Sequence, residues 1–421
     1  MNSCQADPER PSWLSGAADS RIGGKYKGTL DIGVITNMAK RVAEIAGAGL
    51  SGLMLAARLA QLGWTVNLHE RSKDLRMFGA GIWLWENGLK SLKVVGAYDS
   101  AIANAKTIRE WRIVDHRGKI LMRRPFTPDD KMLVPPRADL YQALIDRVQD
   151  LGVNIYTSSV AVGAKPEGVL LMENGDERPA DLVVGADGNG SRIRESINGS
   201  RWADYGVESG IRMMIDHGKG SAEDIITEYW NGPWRLLYNP CTGGQDYIFL
   251  GAPIGDPRTQ LPVDRELWKD TFPALSNIIA RLKEAGRWDR IINIKCRTWS
   301  EGRVAIVGDA AHAMPPNLGQ AANMSFVNVL ALAAAVNETT DIPRALARWE
   351  QRQRPVTDHV QWFSYIYGYV VAKWPLGFQT LRSDLIRAMA NTDWFSESLN
   401  RGPWHIPEGY EAVSGQPKVI T

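Results

Sequence analysis

The 421-residue chain predicts an α/β fold: a Rossmann-like domain of β-α-β units, an inserted antiparallel β-sheet and a C-terminal helical segment. Three observations carry this prediction. Residues 41–70 run strand, glycine turn, helix, strand, in the order of a β-α-β unit. Residues 201–296 change character to alternating strands joined by hairpin signals. Residues 304–324, VAIVGDAAHAMPPNLGQAANM, return to an apolar strand that ends in Gly-Asp, passes two prolines and enters a helix built largely from small residues.

Taken in order, residues 1–40 are rich in Gly, Ser, Pro and charge and lack periodicity, so they are expected to be a poorly ordered extension, with Met38 a sufficient start. RVAEIA, GAGLSG, LMLAARLAQLG and WTVNLHE form the β-α-β unit. Helix-like LKSLKVVGAYDSAIANA follows, then strands WRIVDH and KILMRR around a turn at Arg117 and Gly118. In PPRADLYQALIDRVQDLG, Leu140, Leu144, Ile145 and Val148 fall on one helical face. DLVVGADG reads as another strand, GIRMMID as a buried one, and RLLYNP with YIFLGAP as a hairpin. Helices are expected at 343–354 and 357–372. The implied organisation is a cofactor domain from 41–112, 135–200 and 297–356, a substrate domain from 113–134 and 201–296, and a C-terminal helical segment from 357.

Composition excludes several classes of function. Lys and Arg total 49 against 47 Asp and Glu, a net charge of +2 without a basic stripe, which argues against nucleic acid as a partner. Cys4, Cys241 and Cys296 lie far apart without CxxC or His-rich spacing, which argues for a reducing compartment and against a metal centre or disulfide framework. No apolar run reaches about 18 residues, and the N-terminus lacks a signal-peptide core. A soluble, cytoplasmic protein with no membrane partner is expected; self-association into a homo-oligomer is compatible with the sequence.

The glycine turn matches G-x-G-x-x-G at Gly47, Gly49 and Gly52, and Glu70 closes the next strand 23 residues after Gly47. The first glycine makes the tight turn, the second lets a pyrophosphate approach and the third lets the helix pack; Leu50 and Ser51 open the helix whose amides face phosphate, and Glu70 can accept from a ribose. A pyridine-nucleotide disulfide reductase needs two such sites, and one is present. Two further strands end in acid and glycine: Asp187 with Gly188, and Gly308 with Asp309. Read alone, Asp309 could be a plain helix cap. Read together, the three strand ends suit FAD, whose ribitol and flavin need anchors beyond the first turn. Asp309 would hold the ribitol, and the GQAAN helix start (Gly319, Ala321, Ala322, Asn323) would bring its amides to the flavin.

GAGLSG with HER, GADGNGSRIR and GDAAHAMPPNLGQAAN resemble the single-component (class A) FAD-dependent aromatic hydroxylases, such as the para-hydroxybenzoate and salicylate hydroxylases, over residues 41–355. FGAGIWLWENGL and the Met-Pro-Pro turn resemble most the NADH-dependent 2-methyl-3-hydroxypyridine-5-carboxylate oxygenase branch. The resemblance implies an oxidoreductase of aromatic catabolism. NAD(P)H, NADH favoured, visits transiently and reduces FAD; dioxygen then forms a C4a-hydroperoxyflavin that hydroxylates, or hydroxylates and opens, a small aromatic carboxylate. A hydroxypyridine carboxylate is the first choice of substrate and a salicylate or hydroxybenzoate the second; a FAD-dependent dehydrogenase or reductase that does not activate oxygen is the alternative of a different class. It further implies Arg71 at the adenine side, Arg137 near the phosphates, Asp187 at FAD and nicotinamide, and Pro316 beside the reactive flavin carbon. Two departures stand out: Ala321 where many members have glycine, and Asn328 where aspartate is frequent.

For the substrate pocket, Arg212 sits in an otherwise apolar strand, where a buried cation needs a partner, and a substrate carboxylate would serve. An internal acid or a wet edge would serve as well. Tyr229, Tyr238 and Trp83 are candidate ring contacts, with Tyr238 favoured as the catalytic tyrosine, although any one of them can be plain core. His312 is expected to be structural.

Overall fold

The computed structural model describes residues 40–75, 81–197, 202–204, 206–218 and 224–414. The N-terminal extension, and with it the expected start at Met38, lies outside the described residues.

A six-stranded sheet runs in the order Ser300–Glu301, Val304–Ile306, Leu182–Gly185, Val42–Ala46, Thr65–His69, Asn154–Tyr156, all parallel except the Ser300–Glu301 edge. Its central strands read as continuous apolar runs because helices cover both faces. The helix Leu50–Gln61 packs against Ala321–Asn337, which lies in turn against the helix Ile342–Lys373. Ala321–Asn337 is therefore apolar nearly all round.

Register brings three distant motifs together. Ala46 pairs with Gly185, and Gly185 with Ile306. The Ala186 amide donates to the Ala46 carbonyl at 2.7 Å, and the Val307 amide to Gly185 at 2.9 Å. The chain thus leaves the sheet at 47, 186 and 307 side by side, at the carboxyl edge where open parallel sheets bind ligands.

The second sheet has seven strands in the order Arg287–Arg290, Glu208–Asp216, Gln245–Pro253, Trp234–Pro240, Ile225–Asn231, Glu110–Val114, Ile120–Pro125. All neighbours are antiparallel except Ile225–Asn231 beside Glu110–Val114. Strand parity decides which residues face the first sheet. Arg212, Glu228, Arg235, Leu237, Tyr247 and Phe249 share the inner face. Ile211, Met213, Leu236, Tyr238, Ile248 and Leu250 share the outer one, where Trp268, Phe272 and Leu282 cover them.

Two boundaries differ from expectation. Glu110–Val114 joins the second sheet whole, so a division at 112/113 cuts a strand. The two helices expected on either side of Pro355 are one helix, Ile342–Lys373. Proline inside a helix costs about 3 kcal/mol through its missing donor and ring clash. Burial of Val356, Val360 and Phe363, with the Thr357 hydroxyl donating to the Gln353 carbonyl at 2.9 Å, carries the helix through. Among the described residues, no helix is long and apolar enough to cross a membrane and no His, Cys, Asp and Glu cluster could hold a metal.

Candidate active site

A cavity of about 430 Å³ lies between the carboxyl edge of the parallel sheet and the inner face of the second sheet. Gly49, Leu50 and Ser51 line it, as do Gly319, Ala321 and Ala322. The three glycines of the turn do different work. A Cβ on Gly47 (φ +104°) would meet the Ala186 carbonyl, and one on Gly52 the Gly47 carbonyl, whereas Gly49 has nothing within 4 Å and opens its backbone to the cavity. One open and two closed glycines are what a pyrophosphate-binding turn requires. The Tyr141 hydroxyl, from the helix Arg137–Asp150, donates to the Ala48 carbonyl at 3.0 Å and steadies the turn.

Glu70 is held beside this turn, accepting from the Ala48 amide at 3.0 Å and the Ser72 amide at 2.9 Å. Arg71 is exposed. Asp187 accepts from the Arg192 amide at 2.8 Å, but its other oxygen is buried without a hydrogen-bond partner among the described residues. An orphaned carboxylate oxygen beside the cavity-lining Gly188 calls for a ligand donor. Gly47, Gly52, Glu70, Arg71 and Asp187 flank the cavity without lining it.

Gly308 (φ +59°) brings the chain against Ser51, whose hydroxyl lies 2.5 Å from that of Ser325. Asp309 follows and opens onto the cavity opposite Arg137. Asp309 is exposed through the cavity, yet the protein packed around it still pushes its carboxyl up, and Arg137 and Arg212 pull it back. Burial and then Arg212 lower Arg137, while Asp309 opposes them. Ala321 begins the helix Ala321–Asn337 without a positive φ, so its Cβ is tolerated where a glycine is frequent.

The Asn323 side chain is occupied within the protein. Its amide donates to the carbonyls of Trp83 (2.9 Å) and Gly319 (2.8 Å) and its oxygen accepts from the Trp85 amide at 3.1 Å, so the side chain is spent on tethering the tryptophan segment and does not line the cavity. His312 is structural. It lies buried against Asn328 Nδ2 at 2.9 Å, and burial pushes its pKa down to about 4. Asn328, the residue that departs from aspartate, completes this knot with Thr357 at 3.1 Å.

Apolar side chains make up another part of the cavity lining. Trp83, Leu237, Phe249, Met314 and Pro316 line it, with Trp111 5.4 Å behind Trp83. Tyr229 and Tyr238 do not. Both sit on the outer face of the second sheet, where Tyr238 is buried in the core and Tyr229 packs against it. Strand parity, which a list of aromatic residues ignores, is the reason. Tyr247, on the inner face, does line it.

Arg212 lines the cavity and already has an internal acid, Asp289 Oδ2 at 3.3 Å from its Nη1, although its Nε is buried without a hydrogen-bond partner. Deeper in the floor lies a cluster that Arg212 alone does not reveal. Arg235 Nη1 donates to Glu228 at 3.0 Å, and Nη2 to Glu208 at 3.1 Å and to Asn317 Oδ1 at 2.5 Å. All three ionisable groups are at most 3 % exposed. Burial pushes the Glu208 carboxyl up to about 7 against the pull of Arg235. Burial alone would lower Arg235, but Glu208 and Glu228 overturn that and leave it raised. The reasoning that singled out Arg212, a charge in an apolar strand, applies equally to Glu208, Glu228 and Arg235 and would have found them.

The dinucleotide turn, the orphaned Asp187 oxygen and the Asp309 carboxylate under the influence of Arg137 fit FAD. Residues 40–363 match the FAD binding domain family. The chain is 38% identical over 337 residues to a probable 2-heptyl-3-hydroxy-4(1H)-quinolone synthase of Rhodococcus erythropolis, covering 78% of this chain and 88% of that protein. It is 37% identical to a 2-heptyl-3-hydroxy-4(1H)-quinolone synthase of Mycobacteroides abscessus, covering 78% and 90%. A solved tetrameric form of 2-methyl-3-hydroxypyridine-5-carboxylic acid oxygenase superposes with a TM-score of 0.75 at 35% identity, covering 87% of this chain and 96% of that one. The chain therefore belongs to the FAD binding domain family and is a FAD-dependent aromatic monooxygenase, of the class that takes its electrons from NAD(P)H.

Proposed function

We propose that the chain uses NADH and dioxygen to hydroxylate a small, electron-rich N-heteroaromatic ring of the 4-quinolone or pyridone kind, held with a ring N–H or hydroxyl over Glu228. One observation carries this reading: the charge balance of the floor. Arg235 already lies between Glu208 and Glu228, so a substrate carboxylate gains little from it, whereas a ring N–H or O–H meets an acid edge. Trp83, Leu237, Phe249 and Met314 suit a flat apolar ring and keep water from it. The ring named for the quinolone synthases carries an N–H and a hydroxyl on the carbon that the nitrogen's electron pair enriches, which supports the same reading.

Bound FAD would be held by the 47–52 turn, Glu70, Asp187 and Asp309, and would supply both the electron store that NADH fills and the activation of dioxygen. The chain's own residues bind the ring, set its plane against Trp83 and Phe249, exclude water and hold its proton. A hydroxypyridine carboxylate is the second reading, with ring opening as a further outcome. Arg137, Arg212 and Arg287 gather at the cavity with Asp289 and Asp309 and leave a positive excess where a carboxylate could seat.

The test is a panel: NADH oxidation by the holoenzyme with a 2-alkyl-4-quinolone, 2-methyl-3-hydroxypyridine-5-carboxylate, salicylate and 4-hydroxybenzoate, with product masses. Stimulation by the quinolone with a gain of one oxygen supports the first reading. Stimulation by the pyridine acid alone supports the second, and stimulation by a hydroxybenzoate alone overturns both.

A further inference from the structure

The cavity floor holds more acid than base. Glu208 and Glu228 face one guanidinium, that of Arg235. The other groups against the pair are the Tyr367 hydroxyl, donating to Glu228 Oε2 at 2.7 Å; the Trp230 indole, donating to Glu228 Oε1 at 3.1 Å; Asn317, which accepts from Arg235 and whose amide, donating to the Ser364 carbonyl at 2.8 Å, also draws the Glu208 carboxyl down; and the Phe249 ring, 5.0 Å from the Arg235 guanidinium carbon. With both acids ionised, a dry floor carries one net negative charge; with one proton between them it is neutral. The two acids differ in their surroundings. Both oxygens of Glu228 have donors, whereas Glu208 Oε1 is buried without a hydrogen-bond partner among the described residues. An unsolvated, undonated oxygen is where a carboxyl proton is best kept. Space is closed beside its other oxygen, the one Arg235 holds: a Cβ on Gly368 would strike Glu208 Oε2 and the Asn317 amide.

We propose that Glu208 is a positioning residue that shares one proton with Glu228, and that losing this proton charges the floor beneath the reacting ring, which makes Glu228 the acceptor of the ring's N–H or O–H proton. This rests on the reading of the cavity as the ring site and adds the group that manages the proton. When the ring carbon takes its oxygen, the ring N–H (or O–H) bond breaks and its electron pair moves into the ring to support the new carbon–oxygen bond. The proton goes to the acid pair, whose floor becomes neutral. When that carbon then loses its own hydrogen as a proton, a proton returns to the ring heteroatom, and the pair ends with the count it began with. The two electrons of the oxidation are balanced by NAD(P)H and dioxygen through FAD. The ionised pair is the active form, and a ring that is already anionic is repelled by it. Placement of the Glu208 transition near neutral pH agrees with the effect of burial on that carboxyl.

The experiment uses holoenzyme and whichever ring stimulates NADH oxidation. In the wild type, kcat/KM falls about tenfold per pH unit below a midpoint near neutrality. Glu208→Gln holds the floor neutral, so this acid limb vanishes and kcat stays low at every pH, while Glu208→Asp keeps the limb with a shifted midpoint. An unchanged limb in Glu208→Gln overturns the proposal. A second measurement needs no substrate and no variant: infrared difference spectra of ligand-free wild-type holoenzyme contain a protonated carboxyl that is lost as pH passes neutrality. Its absence overturns the shared proton even if every ring in the panel fails. Its presence with no stimulation by any ring faults the ring-site reading alone.

Discussion

Replacing Arg235 by Met removes the one cation between two buried carboxylates, and the cost is legible in the geometry. Breaking a buried ion cluster by deleting one partner typically costs about 3–5 kcal/mol. Against a usual stability of about 5–15 kcal/mol, that is a large share. The cost also depends on pH. Burial already holds Glu208 near 7 with Arg235 present, and without the guanidinium it rises further. A carboxyl whose folded pKa is raised keeps its proton in the folded state after the unfolded chain, titrating near about 4.3, has released it. Stability therefore falls as pH rises from there to the raised pKa, by about 1.4 kcal/mol per unit. The deficit of Arg235→Met is accordingly smaller near pH ~5 than near pH ~8. Urea unfolding followed by circular dichroism, with FAD saturating, measures it. Adding Glu208→Gln and Glu228→Gln removes the uncompensated charges and recovers most of the loss, because whole ion clusters are replaced with little penalty. A deficit of equal size at both pH values would refute the electrostatic reasoning.

The remaining predictions concern the cofactor turn and the ring end. Gly52→Ala forces its Cβ against the Gly47 carbonyl and should abolish FAD retention, whereas Gly49→Ala folds normally and only weakens it; flavin content after gel filtration separates the two. Arg212→Met breaks the 3.3 Å contact with Asp289 and should raise KM for a carboxylated ring several-fold or more, with FAD content unchanged; an unchanged KM removes Arg212 from the site. Tyr247→Phe should raise KM about threefold to tenfold if its hydroxyl meets the ring, at roughly 0.5–1.5 kcal/mol per hydrogen bond, while Tyr238→Phe on the outer face should leave KM alone.

The cofactor half of this protein was legible because its signals are local. Gly47, Gly49 and Gly52 with Glu70 lie within one β-α-β unit, and Gly308 with Asp309 closes one strand. Convergence of 47, 186 and 307 at one edge followed from the rule that parallel sheets bind ligands there. The substrate half was less legible, because it depends on which way each strand faces. Tyr229 and Tyr238 are one residue out of phase with Glu228 and Leu237, and that single step moves them from the cavity to the core. The role of the Asn323 side chain was hidden for another reason: it serves Trp83 and Trp85, about 240 residues earlier, and no local pattern announces that tether. Pro355 read as a break because the packing that carries the helix across it is tertiary.

The account turns on electrons from NADH being spent on inserting an atom of dioxygen into a bound ring. The most direct measurement is turnover of the holoenzyme under oxygen-18 gas with the ring that best stimulates NADH oxidation. The account predicts one labelled oxygen atom in each product molecule and one NADH consumed for each. Product whose new oxygen comes from water, or NADH oxidised with no oxygen entering the ring, would contradict it.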